Sequence, residues 1–167
     1  GRRVAVKMVH LSDTVISCVT TANNYVVTGS SDGAIRFYDM RFRLEAWFED
    51  LEAGAVASVS FSNLAPRVAN ESDPDSFAVP DFVCGTSNAL IVGVESKLFE
   101  EAKPERRRGV LLVQGIESEV RGVAAHPKSS RVAFATSRGR LHLWDTSSKR
   151  LVRTRNVSSK SATLTAV

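Results

Sequence analysis

Three segments of this sequence share one spacing of apolar residues, and this repetition limits the possible folds more than any other feature. The segments begin at Val15, Val56 and Val120. Each is followed by a second apolar run, a short turn with a third run, and then a fourth run. Because a regular internal repeat marks one supersecondary unit that occurs several times, the repeat has to be interpreted before its individual elements.

Each repeat reads as four short strands joined by turns, the pattern of a β-propeller blade. Asp32-Gly33 and Arg138-Gly139 lie at the turns before third strands, where glycine supplies a positive φ. The runs VVTG and VAFA are apolar at consecutive positions, which predicts inner strands buried on both faces. AIRFYD and RLHLWD alternate, so we expect third strands with one packed face and one wetter face. The predicted fold class is all-β, a β-propeller segment of about three four-stranded blades with an orphan strand at each end.

The spacing also predicts how the chain is divided. We expect a partial β-propeller over 1–167, in which 3–11 is the last strand of a preceding blade, 15–50, 56–114 and 120–156 are blades, and 163–167 is the first strand of a following blade. Three blades and two orphan strands cannot complete a ring of four to eight blades. We therefore expect the chain to be a segment of a longer protein.

The middle repeat is longer than the first. Val15 and Val56 are 41 residues apart, close to the ~40–45 residues of a propeller repeat, whereas Val56 and Val120 are 64 apart. The excess lies in two insertions, 63–80 and 96–108, which join strands one and two and strands three and four of this blade. Because strands in a blade alternate in direction, both insertions are predicted to emerge on one face of the propeller.

The ends of the third strands carry a family resemblance. They read Phe37-Tyr38-Asp39 and Leu143-Trp144-Asp145, and the latter contains a Trp-Asp dipeptide. The chain resembles the WD40-repeat family, with Asp32 at the position of the family's structural turn aspartate. In the middle repeat we place Gly93-Val94 where Trp-Asp would stand. This departure from the pattern puts the family's buried hydrogen-bond network in doubt here, but not the fold.

A narrower resemblance rests on longer stretches. SSDGAIRFYD, LEAWFED, FVCGTSNAL and GVAAHPKSSRVAFATSRGRLHLWD are similar to the WD-repeat cilia- and flagella-associated family at the base of radial spoke three, part of the calmodulin- and spoke-associated complex. The resemblance implies an axonemal protein that links a radial spoke base to the doublet microtubule and supports ciliary motility. It also implies radial-spoke and doublet-microtubule partners within a large complex.

The sequence offers no support for an enzyme, and we expect no catalytic, cofactor-binding or metal-binding residues. It has neither a phosphate-binding GxxxxGK[ST] run nor a GxSxG nucleophile motif. His10, His126 and His142 lie away from zinc-ligand spacing and are predicted to be structural or exposed. Cys18 and Cys84 are expected to be small buried thiols rather than a disulfide.

The chain has two tryptophans, and its apolar runs are short. Trp47 and Trp144 are predicted to lie in the core or at blade interfaces, because burial of a large apolar side chain contributes ~1.5–3 kcal/mol by itself. No apolar run approaches the ~20 residues of a membrane helix, so no membrane partner is expected.

The charge distribution indicates a binding region. Residues 1–102 hold 8 basic and 14 acidic side chains, whereas 103–167 hold 14 basic and 4 acidic ones. The candidate partner-binding residues are the basic group of the second insertion and the acidic group of the first, namely Lys103, Arg106, Arg107 and Arg108 with Glu71, Asp73 and Asp75. The two groups either neutralise each other, at ~0–1 kcal/mol per exposed pair, or form one partner site on a rigid scaffold. The aspartates lack the spacing of an EF-hand and read as a solvated loop.

The sequence leaves two functions open. The first is a non-catalytic protein-interaction scaffold that uses the two insertions. The alternative is a nucleic-acid-binding WD40 protein that uses the basic 103–160 region, because arginine pairs well with phosphate. The basic stretch lacks the interleaved aromatic residues that stack single-stranded bases, so nucleic acid is the less favoured partner.

Overall fold

A computed structural model describes residues 8–49, 53–62, 77, 79–100 and 108–157. The described residues form three four-stranded antiparallel sheets, each with its strands in sequence order. Blade one contains β1 (Ile16–Ala22), β2 (Tyr25–Ser30), β3 (Ala34–Tyr38) and β4 (Leu44–Glu49); blade two contains β5 (Val56–Phe61), β6 (Phe82–Thr86), β7 (Ile91–Val94) and β8 (Val110–Val113); blade three contains β9 (Val120–Ala125), β10 (Arg131–Thr136), β11 (Arg140–Asp145) and β12 (Arg150–Asn156). A short 3₁₀ helix, η1 (Ser96–Glu100), follows β7. The predicted all-β class and the three blades are confirmed.

The predicted orphan strands fall largely outside this description. Of 3–11, the described residues 8–11 carry no strand, and 163–167 lies wholly outside the described residues.

The turns between second and third strands show how glycine shapes two of the blades. Gly33 and Gly139 have φ of 84° and 74°, and each amide donates to the carbonyl three residues earlier. In blade two the same position holds Ala89, with φ of 58° and the same hydrogen bond to Thr86. This turn precedes β7, which begins at Ile91. A residue with a Cβ is strained in this left-handed conformation.

Burial corrects two of the sequence predictions. β3 does not have a wet face: four of its five residues are buried and Arg36 is half-buried, because β2 and β4 flank it and blade two covers it. Trp47 is not a core residue, since it lies on the outer strand β4 with 36% of its surface exposed. Trp144 does pack against the core between blades two and three. Every residue of β12 is exposed.

Blades stack face to face around two apolar cores. Phe37, Phe48 and Phe82 belong to the core between blades one and two, and Val120 and Phe134 to the core between blades two and three. The second strand of one blade approaches the first strand of the next blade closely at a glycine. A Cβ on Gly85 would lie 2.4 Å from Val120 Cγ1, and a Cβ on Gly29 would lie 2.6 Å from Val56 Cγ1.

Serine side chains join the inner strands of neighbouring blades. The amides of Val123 and Ala125 donate to Ser58 Oγ and Ser60 Oγ, at 3.1 and 3.0 Å. Ser17 Oγ donates across the previous junction to the carbonyl of Val56. These bonds satisfy backbone groups on the inner edges of the sheets, which otherwise have no ladder partner.

Candidate interaction surface

Of the seven residues predicted to bind a partner, Arg108 is the only one in the described part of the chain. It is exposed and stands two residues before β8. The other six, Lys103, Arg106, Arg107, Glu71, Asp73 and Asp75, lie outside the described residues. Whether the two charged groups meet therefore stays a prediction.

The roots of the two insertions surround one cleft between blades two and three. Ser62 and Asp81 flank the first insertion, and Glu95 and Val110 stand at the two ends of the second. All four line a cavity of about 330 Å³, whose far wall is formed by blade three. Both insertions therefore leave blade two on the same face, as the antiparallel strand order predicted.

Hydrogen bonds hold both rims of this cleft. On blade two, Ser62 donates its amide and its hydroxyl to the carbonyl of Asp81, each at 2.9 Å. Asp81 Oδ1 accepts the amide of Ser96 at 2.7 Å, which fixes the start of η1. On blade three, Thr146 donates its amide and hydroxyl to the carbonyl of Ser130, at 2.7 and 2.8 Å. The cleft thus has ordered walls made by matching turns of two blades.

Two phenylalanines of the insertions anchor them against blade one. Phe77 and Phe99 lie 5.3 Å apart between ring centroids, and each lies 5.4 Å from Phe37 in an edge-on arrangement. Phe77 also approaches Tyr25, at 5.1 Å, and Phe99 lies 6.4 Å from Phe82. Aromatic pairs in such geometries contribute ~0.5–1.5 kcal/mol beyond their buried area. The sequence patterns did not predict these anchors, and the available signal was a lone Phe inside each polar insertion.

A polar side-chain network next to the turn between the second and third strands occurs in two of the three blades. In blade one, Arg36 donates to Ser30 Oγ at 3.1 Å and to Asp32 Oδ2 at 2.7 Å. Asp32 also accepts from the Ala34 amide and the Thr14 hydroxyl, at 3.0 and 3.3 Å. The hydrogen bond from Arg36 is the main reason that the pKa of Asp32 is lowered. Asp32 therefore holds the turn, as the family resemblance implied.

In blade three the corresponding network is built around His142. This histidine is 8% exposed, its ring stacks on Phe134 at 4.9 Å, and its nitrogens lie 3.2 Å from Glu117 Oε1 and 3.0 Å from Thr154 Oγ1. Thr136 also donates to Glu117, at 3.2 Å. Burial raises the pKa of Glu117, but its own backbone amide, His142 and Thr136 together outweigh burial, so that the pKa is lowered. His142 is thus a structural residue.

In the described part of blade two this network is absent. Its ladder pairs Cys84 with Val92, as Thr28 pairs with Arg36 and Phe134 with His142, so the position is apolar. Thr86 Oγ1, which corresponds to Ser30 and Thr136, is buried without a hydrogen-bond partner among the described residues. The doubt raised by the sequence therefore applies to this blade.

The register also corrects the placement of the Trp-Asp equivalent. Val26, Phe82 and Val132 pair with Tyr38, Val94 and Trp144. Val94-Glu95, one residue later than predicted, is therefore the counterpart of Trp144-Asp145.

The aspartate of this dipeptide, Asp145, holds the turn that follows β11. Its Oδ1 accepts the amides of Ser148 and Ser147, each at 3.0 Å, and the Ser147 hydroxyl at 2.7 Å, and these bonds lower its pKa to about 2.

The described residues give no sign of metal or covalent chemistry. Among residues 8–49, 53–62, 77, 79–100 and 108–157, no three His, Cys, Asp or Glu side chains are grouped so that they could hold a metal ion. Cys84 is buried and Cys18 half-buried, the two form no disulfide, and burial raises the pKa of Cys18. In the same described ranges no helix has the length and apolar character needed to cross a membrane.

Comparison with known proteins agrees with this architecture. The family model "WD domain, G-beta repeat" matches residues 1–39. Two solved structures, of U3-55K and of the Mitotic Checkpoint Complex, superpose with TM-scores of 0.61 and 0.63 over 86% and 90% of this chain, at 13% and 14% identity. The superposed part is 40% of each of those two chains. The chain therefore has a β-propeller fold, and its residues 1–39 match the WD repeat.

Sequence relatives of this chain carry a ciliary name. It is 40% identical over 147 residues to the cilia- and flagella-associated protein 251 of Chlamydomonas reinhardtii, and 33% identical over 144 residues to that of Tetrahymena thermophila. These matches cover 86% and 78% of this chain, but only 18% and 14% of the relatives. The mouse protein of the same name is 28% identical over 83% of this chain. The match covers 11% of the mouse protein. The expected cilium or flagellum location agrees with these relatives, of which the chain spans less than a fifth.

Proposed function

We propose that this WD40 segment is a non-catalytic protein-interaction scaffold whose partner surface is the face that carries both insertions. The observation that carries the proposal is that the roots of both insertions line one cleft between two blades. Loops on a rigid scaffold commonly carry recognition. Here two of them leave the same blade at the same place, and each is anchored by a phenylalanine, so that a partner would meet a preorganised surface.

The finer proposal concerns the cell structure that it serves. We infer an axonemal protein that links a radial spoke base to the doublet microtubule within a large complex and supports ciliary motility. Its support is the resemblance of four sequence stretches to that family and the ciliary name of the relatives. Partners would then be radial-spoke and doublet-microtubule proteins.

An experiment on the insertions tests the scaffold. Deletion of 64–75 together with 101–107 removes the charged stretches but keeps Phe77 and Phe99 on their core. We expect the tagged chain, expressed in a ciliated cell, to lose retention on demembranated axonemes while its melting temperature stays unchanged. Unchanged retention by a folded variant would contradict the proposed surface.

A matched pair of single variants sharpens this test. Arg108→Glu and Arg138→Glu make the same charge change at exposed positions, but Arg108 lies on the insertion face and Arg138 lies at the opposite end of the strands, in the β10–β11 turn. We expect Arg108→Glu to weaken axoneme retention and Arg138→Glu to leave it near the wild-type value. Equal losses would mean that net charge, and not the insertion face, governs retention.

The basic third blade distinguishes the two partner classes. Arg150, Arg153 and Arg155 lie on the exposed strand β12, and charge attraction to the acidic surface of a microtubule would use them. A nucleic acid would use the same charges, with a salt slope of about −0.9 per phosphate contact. Salt-sensitive co-sedimentation with microtubules that excess RNA and duplex DNA fail to displace supports the protein partner. Displacement by nucleic acid at low concentration would favour the alternative.

A further inference from the structure

Corresponding positions of the three blades can be compared directly because the strand ladders share one register. Phe37, Gly93 and Leu143 occupy the same position of the third strand, opposite Val27, Val83 and Ala133. Gly93 is therefore the point at which blade two lacks a large side chain that both other blades have.

The cleft between blades one and two shows what normally fills this space. Phe37 is fully buried there, and the rings of Phe77 and Phe99 each close over it at 5.4 Å. Three aromatic side chains, two of them supplied by the insertions, thus occupy that junction.

In the part of the chain that the structure describes, no aromatic ring fills the cleft between blades two and three. The side chain of Leu112 lies beside Gly93, with its Cδ1 2.9 Å from where a Cβ would stand. Gly93 lines this cleft together with Val110 and Leu112 on one side and Ala125 and Val132 on the other, and the cavity of about 330 Å³ remains between them. This volume is at the lower end of the range for ligand pockets. The internal repeat therefore provides one filled cleft and one open cleft of the same construction.

No aromatic side chain within these 167 residues is left to fill the open cleft. The eight phenylalanines, two tryptophans and two tyrosines of the sequence all lie at described positions. Of these, Phe82 is the one that lines the cavity, and it does so as part of the wall. The stretches of the insertions outside the described residues contain no aromatic residue.

The rim carries charge that a partner could match. The carboxylates of Asp81 and Glu95 are on the blade-two side, and Arg131 is on the blade-three side. Glu95 pairs with Lys97 at 2.5 Å, whereas neither Asp81 nor Arg131 forms an ion pair with any residue that the structure describes. Asp81 is thus a rim carboxylate that no basic side chain of the described residues pairs with, which favours a basic residue on the partner beside the inserted ring.

We propose that the cleft between blades two and three binds an aromatic side chain of a partner protein, with a basic neighbour of that residue facing Asp81. The cleft would hold the ring as the chain's own Phe77 and Phe99 are held between blades one and two. This inference rests on the proposed scaffold function and names the chemistry of its partner.

Short peptides test the cleft without any ciliary component. The probes are N-acetyl-Phe-Arg-amide, N-acetyl-Ala-Arg-amide and N-acetyl-Phe-Glu-amide, titrated into the methyl-labelled chain and followed by NMR. We expect the Phe-Arg probe to shift the methyl signals of Val110, Leu112 and Val132 in a saturable way. The Ala-Arg probe should cause no saturable shift, and the Phe-Glu probe should bind several-fold more weakly. Equal binding of the Phe and Ala probes would overturn the proposal.

Two variants keep the test decisive. Gly93→Leu introduces the residue that blade three has at this position, and it should abolish the shifts while the chain stays folded. Asp81→Asn keeps an oxygen for the Ser96 amide but removes the charge, and it should abolish the preference for Phe-Arg over Phe-Glu. Undiminished binding by folded Gly93→Leu would overturn the proposal, as would shifts that require self-association of the chain.

The outcome is separable from that of the scaffold experiment. Peptide binding with the expected selectivity but without axoneme retention would leave the cleft standing and remove the ciliary proposal. Axoneme retention without aromatic selectivity would leave the ciliary proposal standing and remove the aromatic-binding cleft.

Discussion

The spacing of the blades depends on two glycines, and Gly85→Ala tests this dependence directly. An added Cβ would lie 2.4 Å from Cγ1 and 3.1 Å from Cβ of Val120, the first residue of the next blade's inner strand. Val120 is fully buried and β-branched, so rotation of its side chain cannot relieve the contact. Strand β6 of blade two and the inner strand β9 of blade three would have to separate.

The magnitude follows from two opposing effects. Overpacking of a well-packed core costs about 1–3 kcal/mol, whereas replacement of glycine by alanine stabilises by about 0.4–1 kcal/mol through the unfolded state. Because the contact of 2.4 Å is severe, overpacking should cost about 2–3 kcal/mol here, and we expect a net loss of about 1–2.6 kcal/mol in the free energy of unfolding. For a chain of this size that loss lowers the melting temperature by about 2–10 °C.

Urea denaturation with a matched control measures this effect. Gly93→Ala is the control, because the three atoms nearest to its new Cβ all belong to the side chain of Leu112, the nearest being Cδ1 at 2.9 Å. We expect this control to change stability by less than about 0.5 kcal/mol. The double variant Gly85→Ala with Val120→Ala should be more stable than the sum of the two single effects, by about 1 kcal/mol. A Gly85→Ala chain as stable as wild type, or strict additivity in the double variant, would refute the reasoning.

Four further predictions address single features of the blades. Ala89→Gly should raise the free energy of unfolding by about 0.5–1 kcal/mol, since it removes a Cβ from a left-handed turn; a decrease would mean that the turn is not strained. Ser60→Ala should cost about 0.5–1.5 kcal/mol because the Ala125 amide loses its acceptor, whereas an unchanged urea midpoint would show that this link between blades is dispensable. Glu117→Gln should destabilise by about 1 kcal/mol at pH 7; because the folded pKa is lowered from 4.5, its difference from wild type should shrink as the pH falls below 4.5, and a constant difference down to pH 3 would contradict this. Asp145→Asn should likewise be less stable than wild type above pH 4, with the difference vanishing towards pH 2, as thermal melts across that range would show.

The repeat in the sequence was enough to predict the fold class. Four apolar runs per unit, with glycine at the turns, specify strands and their order because side-chain alternation and turn geometry are local properties. The placement of both insertions on one face also followed, since it depends only on the alternation of strand direction. The register, by contrast, placed the Trp-Asp counterpart of blade two at Val94-Glu95, one residue later than the sequence analysis did. The offset between the paired positions of the second and third strands, 12 residues, is the same in all three blades.

The candidate site could be predicted only in part. Charge marked the two insertions, and Arg108 is exposed at the end of one of them, on the side of blade two where the cleft begins. The anchoring of Phe77 and Phe99 on Phe37 was invisible to sequence reasoning, because it joins residues that are far apart in the chain and depends on how two blades face each other.

The sequence by itself determined that this chain repeats a four-stranded blade three times and that the middle blade carries two long insertions. Only the tertiary structure showed which residues the insertions pack against where they leave the blade. The blade junctions are formed by side chains from different repeats. The same third-strand position holds the buried ring of Phe37 at one junction, whereas at the next it holds Gly93, which is covered by Leu112 and lines a cavity. A local pattern cannot predict this difference, because the free energy of packing depends on what the neighbouring blade places opposite each residue.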